Sequence, residues 1–460
     1  MSAQVVEQAS LLHKIEQCAL ASAGSILDRS TTKPALLFRL GIKTAPLFVG
    51  QALFIAEQAI IDDVERIYFF TREGEFFARV FSAVIPNGQL ASHHLPPHCV
   101  LAVSRLSTFA ASLRAVSLHE MQRLWSLYDS QSLFALARSL GLEPESIEPL
   151  ANRHGLPLAE TIVYPWLDPR VKALFTDPAF EHLLSVKIAA DRKAALLYFA
   201  EQGLIDGQGP FGLVDIGWRG TIQDNLALMM PKTRFYGYYL GLQRFRNPQP
   251  PNCIKRAYGP NANLSLFYSH LLDAISPMEM LCNSPNGSVM GYQLAEGRAS
   301  AVRLREPAED AVYAEVVRHF QEGVLFACRH WAPYVAGHSI RSQDLREVAC
   351  GLWSELIERP DRQISEAYAA LKHNDVFGVG CFVDKRIVPS PWRMIRGLFS
   401  VADRREVILY IKQTQWSPGL WQRRDLGTVH RLMLIAALSL GRAYKHLRLW
   451  IHYHLVTRRD

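Results

Sequence analysis

Apolar residues in this chain follow two rhythms. Short unbroken runs, Arg66-Ile67-Tyr68-Phe69-Phe70, Val100-Leu101-Ala102-Val103, Phe211 to Ile216 and Phe235 to Leu240, alternate with stretches at helical spacing. An unbroken apolar run is what a strand buried on both faces requires, and parallel sheets bury both faces. The first run passes through Thr71-Arg72-Glu73-Gly74-Glu75 into Phe76, Phe77, Val80 and Val84, spaced as one helix face. The run ending in Asp215-Ile216 passes through Gly217-Trp218-Arg219-Gly220 into a helix through Met229 and Met230. Repeated strand, polar loop and helix predict an α/β fold with a parallel sheet.

Around these units the pattern is helical. Residues 1 to about 30 read as an amphipathic helix with Val5, Leu11, Leu12 and Ile15 on one side. Pro46 is expected to open a buried apolar helix through Phe48, Leu53, Phe54 and Ile55 to Ile61, ended by Asp62-Asp63. Residues 112–205 carry helical spacing and Pro157, Pro165, Pro169 and Pro178, and predict a helical insertion serving as a lid or acceptor-binding piece. Residues 245–263 are rich in Pro and Asn and predict an irregular connection; from about 305 the chain turns helical. The expected organisation is an N-terminal helical segment (1–44), an α/β domain (45–300) with the 112–205 insertion, and a helical C-terminal region (301–460) with a basic amphipathic end.

Charge sharpens this picture. The 460 residues carry a formal charge of +7, which favours anionic partners. Arg423, Arg424, Arg431, Arg442, Lys445, Arg448, Arg458 and Arg459 stand against only Asp425 and Asp460 in the last stretch. Leu432 to Leu440, Leu447, Leu449, Trp450, Ile451 and Leu455 are interleaved with them, and Trp392, Arg393, Arg396 and Phe399 would extend the surface. Two readings stand side by side: a basic helix lying on an anionic membrane, or a core helix whose arginines are solvated. No nucleic-acid module accompanies the charge, so no nucleic-acid partner is expected. The seven cysteines are scattered without a CxxC pair, no secretory signal is visible, and no uninterrupted apolar run reaches the roughly 18 residues of a membrane span. The expectation is a reducing, cytoplasmic location, peripheral at the inner face of the membrane.

The candidate chemistry gathers after the strands. Walker A, G-x-S-x-G, H-E-x-x-H and Asp-x-Asp signatures are absent. His93, His94 and His98 lie in a Pro-rich stretch without carboxylates at ligand spacing and read as a surface loop, and Asp191-Arg192 as a solvated helix face. In the Asp215–Gln223 stretch, Gly217 and Gly220 allow positive φ and close approach of a ligand. Unpaired N–H groups and the macrodipole of the following helix favour an anion, and Arg219 adds a planar cation. Arg72, Arg105 and Arg219 each follow an apolar strand and are expected to converge on one crevice outside the carboxyl ends of the sheet. Glu73, with Glu75 nearby, is a carboxylate beside an arginine, able to hold Mg²⁺ while the arginine takes phosphate.

Tyr68 through Gly74, Val103-Ser104-Arg105, Val214 through Gln223, and Glu279 through Gly291-Tyr292 resemble a family encoded in bacterial polysaccharide gene clusters. The resemblance covers roughly residues 40–300. Members are often labelled predicted hydrolases because many are fused to a haloacid-dehalogenase-type phosphatase, a domain this chain is expected to lack. The resemblance implies a glycan phosphoribosyltransferase, moving ribofuranose 5-phosphate from phosphoribosyl pyrophosphate to a glycan of cell-surface polysaccharide. It implies a Rossmann-like parallel sheet as in type I phosphoribosyltransferases, with a pyrophosphate loop at Arg72–Glu75 and a ribose-phosphate loop at Asp215–Thr221. Two departures are visible: the second loop has one carboxylate with Trp218-Arg219 inserted, and Glu73 stands where Asp is expected. The implied catalytic groups are Asp215, Arg72 and Arg105, with Mg²⁺ held by Glu73 and Asp215. The implied substrate contacts are Thr71, Gly74, Ser104, Gly217, Trp218, Arg219, Gly220, Thr221, Ile222, Gln223 and Glu279. The implied partners are a lipid-linked glycan acceptor, a separate phosphatase removing the 5-phosphate, and the membrane. The alternatives are a sugar-nucleotide-dependent glycosyltransferase and a non-catalytic membrane-associated scaffold.

Overall fold

A computed structural model describes residues 3–24, 32–338, 340–374, 382–385, 387–414, 416–423 and 425–451. Its centre is a five-stranded sheet, all parallel, of β1 (Arg66–Phe70), β2 (His98–Leu101), β3 (Phe211–Asp215), β4 (Phe235–Tyr239) and β5 (Cys253–Ala257). The spatial order is β2-β1-β3-β4-β5. The chain therefore grows outward from β1 to β2, then crosses back to β3 and continues the other way. The crevice between β1 and β3, where the direction reverses, is where open α/β sheets bind ligands.

Alternating side chains build the two faces. Ile67, Phe69 and Val214 enter a core with helices α1 (Ala3–Ser22), α2 (Lys33–Ile61) and α3 (Glu73–Val84). Tyr68, Phe70, Phe211 and Leu213 enter the opposite core with α4 (Arg105–Ser112), α5 (Pro178–Glu201) and α6 (Thr221–Met229). Both faces are covered, which explains the unbroken apolar runs.

Pro46 does not start a helix; it lies inside α2, which begins at Lys33 and so runs across the boundary expected at residue 44. The helix is held by packing on α7 (Arg318–His338) and α8 (Ser342–Glu358), both of which follow residue 301 in the chain. A Cβ on Gly41 would lie 2.1 Å from the Phe320 carbonyl oxygen, and one on Gly323 2.0 Å from that of Phe38. Two glycines thus let α2 and α7 cross backbone to backbone, and helices of the expected C-terminal region share a core with α2. By length and composition α2 could cross a membrane, but 72% of its most apolar window is buried inside the protein.

Within the stretch expected to be an insertion, Trp125, Leu136, Ile147, Phe175 and Phe180 gather in a core of their own. Arg192 ties it to the end of α4: its Nε donates to the Ala111 carbonyl at 2.7 Å and its Nη2 to that of Leu113. Asp191 accepts from Lys187 at 2.7 Å, so this pair is structural. The stretch expected to be irregular contains β5, an edge strand. An antiparallel hairpin, β6 (Ser288–Ala295) and β7 (Arg298–Leu304), closes the second face beside Tyr198. His93-His94 pairs with Gln89-Leu90, and the His98 ring packs on Phe69 and Phe81.

Candidate functional site

Asp215 ends β3 at the switch point, 7% exposed, with Oδ1 accepting the Ile216 N–H at 2.8 Å. The next turn admits nothing larger than glycine at two places. Gly217 has φ +146°, and a Cβ there would lie 2.4 Å from the Gly241 carbonyl oxygen. Gly220, the residue before α6, has φ +66°, with the Tyr239 hydroxyl 2.6 Å from its would-be Cβ. No side chain caps α6, so the first-turn N–H groups of Thr221 and Ile222 are donors without a helical partner. Between the glycines, Trp218 is buried against Trp353 and donates its indole N–H to Glu279 Oε1 at 2.8 Å.

The turn after β1 is held by its arginine. Arg72 adopts φ +70°, a conformation that costs about 1–3 kcal/mol in a side-chain-bearing residue. Its guanidinium donates to Asn283 Oδ1 at 3.1 Å, to Ser288 Oγ at 3.1 Å and to Glu309 Oε1 at 3.5 Å. Thr71 accepts the Val103 N–H at 3.1 Å and donates to the Val103 carbonyl at 2.6 Å, locking the turns after β1 and β2 together. Ser104 caps α4 and donates to the Val289 carbonyl at 2.5 Å. Gly74 lets α3 press on the end of β1, its would-be Cβ 3.1 Å from the Phe69 carbonyl carbon.

Three carboxylates meet here. Burial, and then the charges of Glu279 and Asp215, push Glu73 up to about 8 although Arg72 opposes the shift. Burial and the Glu279 charge push Asp215 up to about 7 against the pull of its own hydrogen bond and of Arg105. Burial opposes the charge on Arg72, but Glu73, Glu309 and Glu279 together hold it firmly protonated. Arg105 is raised by its neighbour Tyr128, whose hydroxyl accepts from Nη1 at 2.9 Å, and also feels Glu279 and Asp215. The carboxylates thus sit between two arginines.

Arg219 stands further along. Burial, then Arg246 and Arg105, depress it to about 10, and its Nε donates to the Arg244 carbonyl at 3.2 Å. The three expected arginines are therefore strung along the strand ends, with Arg72 at the acidic end and Arg219 at the basic one.

Several expected contacts have other work in the structure. Gln223 is wholly buried: its amide donates to the Phe235 and Ile254 carbonyls, both at 3.1 Å, and accepts from the Tyr239 hydroxyl at 2.7 Å. It stitches α6 to β4 and β5 and is closed to a ligand, a correction to its expected role. Arg72 gives three of its donors to protein acceptors, one from each of its nitrogens, and its charge also bears on Glu73. Glu75 pairs with Asn286 and Arg303 on the surface. Tyr128 and Arg246 join the site unannounced, since they come from the insertion and from the Pro/Asn-rich connection, where no local pattern marks them.

Mg²⁺ is usually bound by one or two carboxylates plus substrate phosphates rather than by an all-protein cage. Glu73 and Asp215, buried and mutually repelling, fit that mode. Among the described residues no group of three or more His, Cys, Asp or Glu is arranged to hold a metal ion by itself. Compared with known proteins, the chain matches no family model, and no curated protein is significantly similar to it. What is established is the class: an α/β protein with a five-stranded parallel sheet, with charged side chains gathered at the ends of β1 and β3.

Proposed function

We propose that this crevice transfers ribofuranose 5-phosphate from phosphoribosyl pyrophosphate to a glycan acceptor, as a phosphoribosyltransferase of cell-surface polysaccharide synthesis. The observation that carries the reading is the meeting of Glu73, Asp215 and Glu279 with Arg72 and Arg105 beside the uncapped start of α6. A donor with a diol, a monophosphate and a diphosphate asks for these groups together. The 5-phosphate rests on the N–H groups of Gly220, Thr221 and Ile222, with the Thr221 hydroxyl as a further donor. Asp215 accepts from the ribose hydroxyls. Glu73 and Asp215 would hold Mg²⁺, which supplies charge neutralisation of the departing diphosphate.

Transfer breaks the bond from the anomeric carbon to the diphosphate oxygen and forms one to an acceptor hydroxyl oxygen. The electron pair leaves on diphosphate, and the hydroxyl proton must be taken up. The departing diphosphate, itself a base, is the group at hand to take it. Arg105 stabilises the leaving charge, and the rigid turns position the reactants.

The acceptor is proposed to be lipid-linked, with the C-terminal helices touching an anionic membrane. Trp392, Leu398 and Phe399 are 68%, 70% and 85% exposed. On the helix Thr428–Ile451, the exposed Val429, Leu432, Leu440 and Leu447 fall along one stripe, opposite the buried Leu434 and Leu438. Arg423 does not contribute: it is buried and paired with Asp425. Arg424, Arg458 and Arg459, and the side chains of Arg442, Lys445 and Arg448, lie outside the described residues.

The test is incubation with labelled phosphoribosyl pyrophosphate, Mg²⁺ and a panel of lipid-linked and synthetic glycans. Transfer abolished by Asp215→Asn supports the reading. No transfer across the panel, with no donor binding by calorimetry, removes it; tighter binding of a nucleotide sugar would favour that donor class.

A further inference from the structure

Outside the carboxylate cluster, the basic end of the crevice is assembled from four separate segments. Arg105 opens α4 and donates to the Tyr128 hydroxyl at 2.9 Å. Two residues before Tyr128 in the insertion, the Ser126 carbonyl accepts from Arg246 Nη1 at 3.0 Å. Two residues before Arg246, the Arg244 carbonyl accepts from Arg219 Nε at 3.2 Å. This chain of hydrogen bonds draws three guanidiniums and a phenol around one place beyond β2, β3 and β4.

Asn247 reinforces the arrangement, accepting from the Ser126 hydroxyl at 2.7 Å and donating to the Arg123 carbonyl at 2.9 Å. Among the described residues no carboxylate pairs with Arg219 or Arg246. Both spend one donor on a backbone carbonyl, leaving the rest of each fork for a ligand. Burial first, and then the charges of Arg246 and Arg105, depress Arg219. Like charges held this close are stabilised by an anion arriving between them.

We infer that Arg219, Arg246, Arg105 and Tyr128 form a second anion-binding site, specific for a phosphoryl or diphosphoryl group, at the insertion end of the crevice. Planar guanidinium forks match phosphoryl oxygens two at a time. The insertion is then part of the binding site itself, since Tyr128 and Ser126 belong to it. The inference rests on the transfer reading only for what the phosphoryl group is attached to: the donor's diphosphate, or a phosphoryl group carried by the acceptor.

The experiment is calorimetric titration of the full chain with inorganic pyrophosphate, alone and after saturation with phosphoribosyl pyrophosphate and Mg²⁺. Pyrophosphate is expected to bind, and Arg219→Ala and Arg246→Ala each to weaken it about tenfold or more, the loss of about 1.4 kcal/mol or more. Arg246→Lys is expected to recover part of the affinity, since the charge remains and the fork is lost. Arg246 is exposed, so its variants keep the fold, and an unchanged melting temperature verifies this. If the saturated protein still binds pyrophosphate, the site belongs to the acceptor; if binding is blocked, it belongs to the donor's diphosphate. Wild-type protein that ignores pyrophosphate, or folded variants that bind it equally well, overturns the inference. Pyrophosphate binding without any binding or turnover of the donor leaves this site standing and removes the phosphoribosyl reading instead.

Discussion

Trp218 and Glu279, 61 residues apart in sequence, are joined by an indole N–H to carboxylate hydrogen bond of 2.8 Å. This bond ties the turn after β3 to the helix Ser276–Cys282 and fixes the third carboxylate of the crevice. Trp218→Phe removes the donor and also shrinks the buried ring packed on Trp353. The expected outcome is a folded protein losing about 1.5–3 kcal/mol, the range for hydrogen bonds to charged groups. Donor affinity should fall with it. Chemical denaturation and donor calorimetry on the same preparation read both effects.

Stability should depend on pH with a definite sign. Between the ordinary value of 4.5 and about 8, folded Glu73 keeps a proton that the unfolded chain has released. Asp215 does the same between 3.8 and about 7. The native state therefore binds more protons across this window, so stability falls as pH rises through it and levels off above. Glu73→Gln should flatten that slope. Melting temperatures of the two proteins across the window, without divalent cation, test this; parallel curves would refute the placement of Glu73.

Gly220→Ala should be costly for its size. The methyl would meet the Tyr239 hydroxyl and Lys255 Cε, 2.6 and 2.8 Å away, and φ +66° disfavours it further. A loss of about 1–3 kcal/mol is expected from the backbone conformation alone. Gly291→Ala, where nothing lies within 4 Å of the added atom, is the control and should melt like wild type.

Arg72→Lys should not substitute. The guanidinium spans Asn283, Ser288 and Glu309, a reach and fork a single ammonium cannot reproduce. Breaking such a partly buried network by Arg72→Ala is expected to cost about 3–5 kcal/mol, and Lys to recover only part of it. Equilibrium unfolding of the three proteins decides; equal stability of Lys and Arg would contradict the hydrogen-bonded role.

The exposed stripe gives a separable prediction. Leu432→Glu with Leu440→Glu should abolish sedimentation with anionic phospholipid vesicles while leaving the unfolding free energy within about 0.5 kcal/mol of wild type. Unchanged sedimentation would assign the stripe to another partner.

The strands around Phe69, Val214 and Tyr238 were legible because a strand buried on both faces writes itself as a continuous apolar run. The crevice was legible at Asp215, Gly217 and Gly220, because a strand-to-helix turn leaves glycine where φ is positive. Gln223 misled, since a polar residue in the first helical turn looks available until the sheet beneath it takes every donor and acceptor. Pro46 misled in the same direction: its local preference for a helix start yields to the burial of α2 against α7.

The sequence by itself determined the alternation of elements and the loops that carry charge, because both follow from local periodicity and backbone preference. Only the tertiary structure decided that Glu279 joins Glu73 and Asp215, that Arg72 spends its hydrogen bonds on the protein, and that Tyr128 and Arg246 complete a basic pocket. Those partners lie tens to hundreds of residues apart in the chain, and the order in which strands cross over to pair leaves no trace in the residues adjoining any one of them.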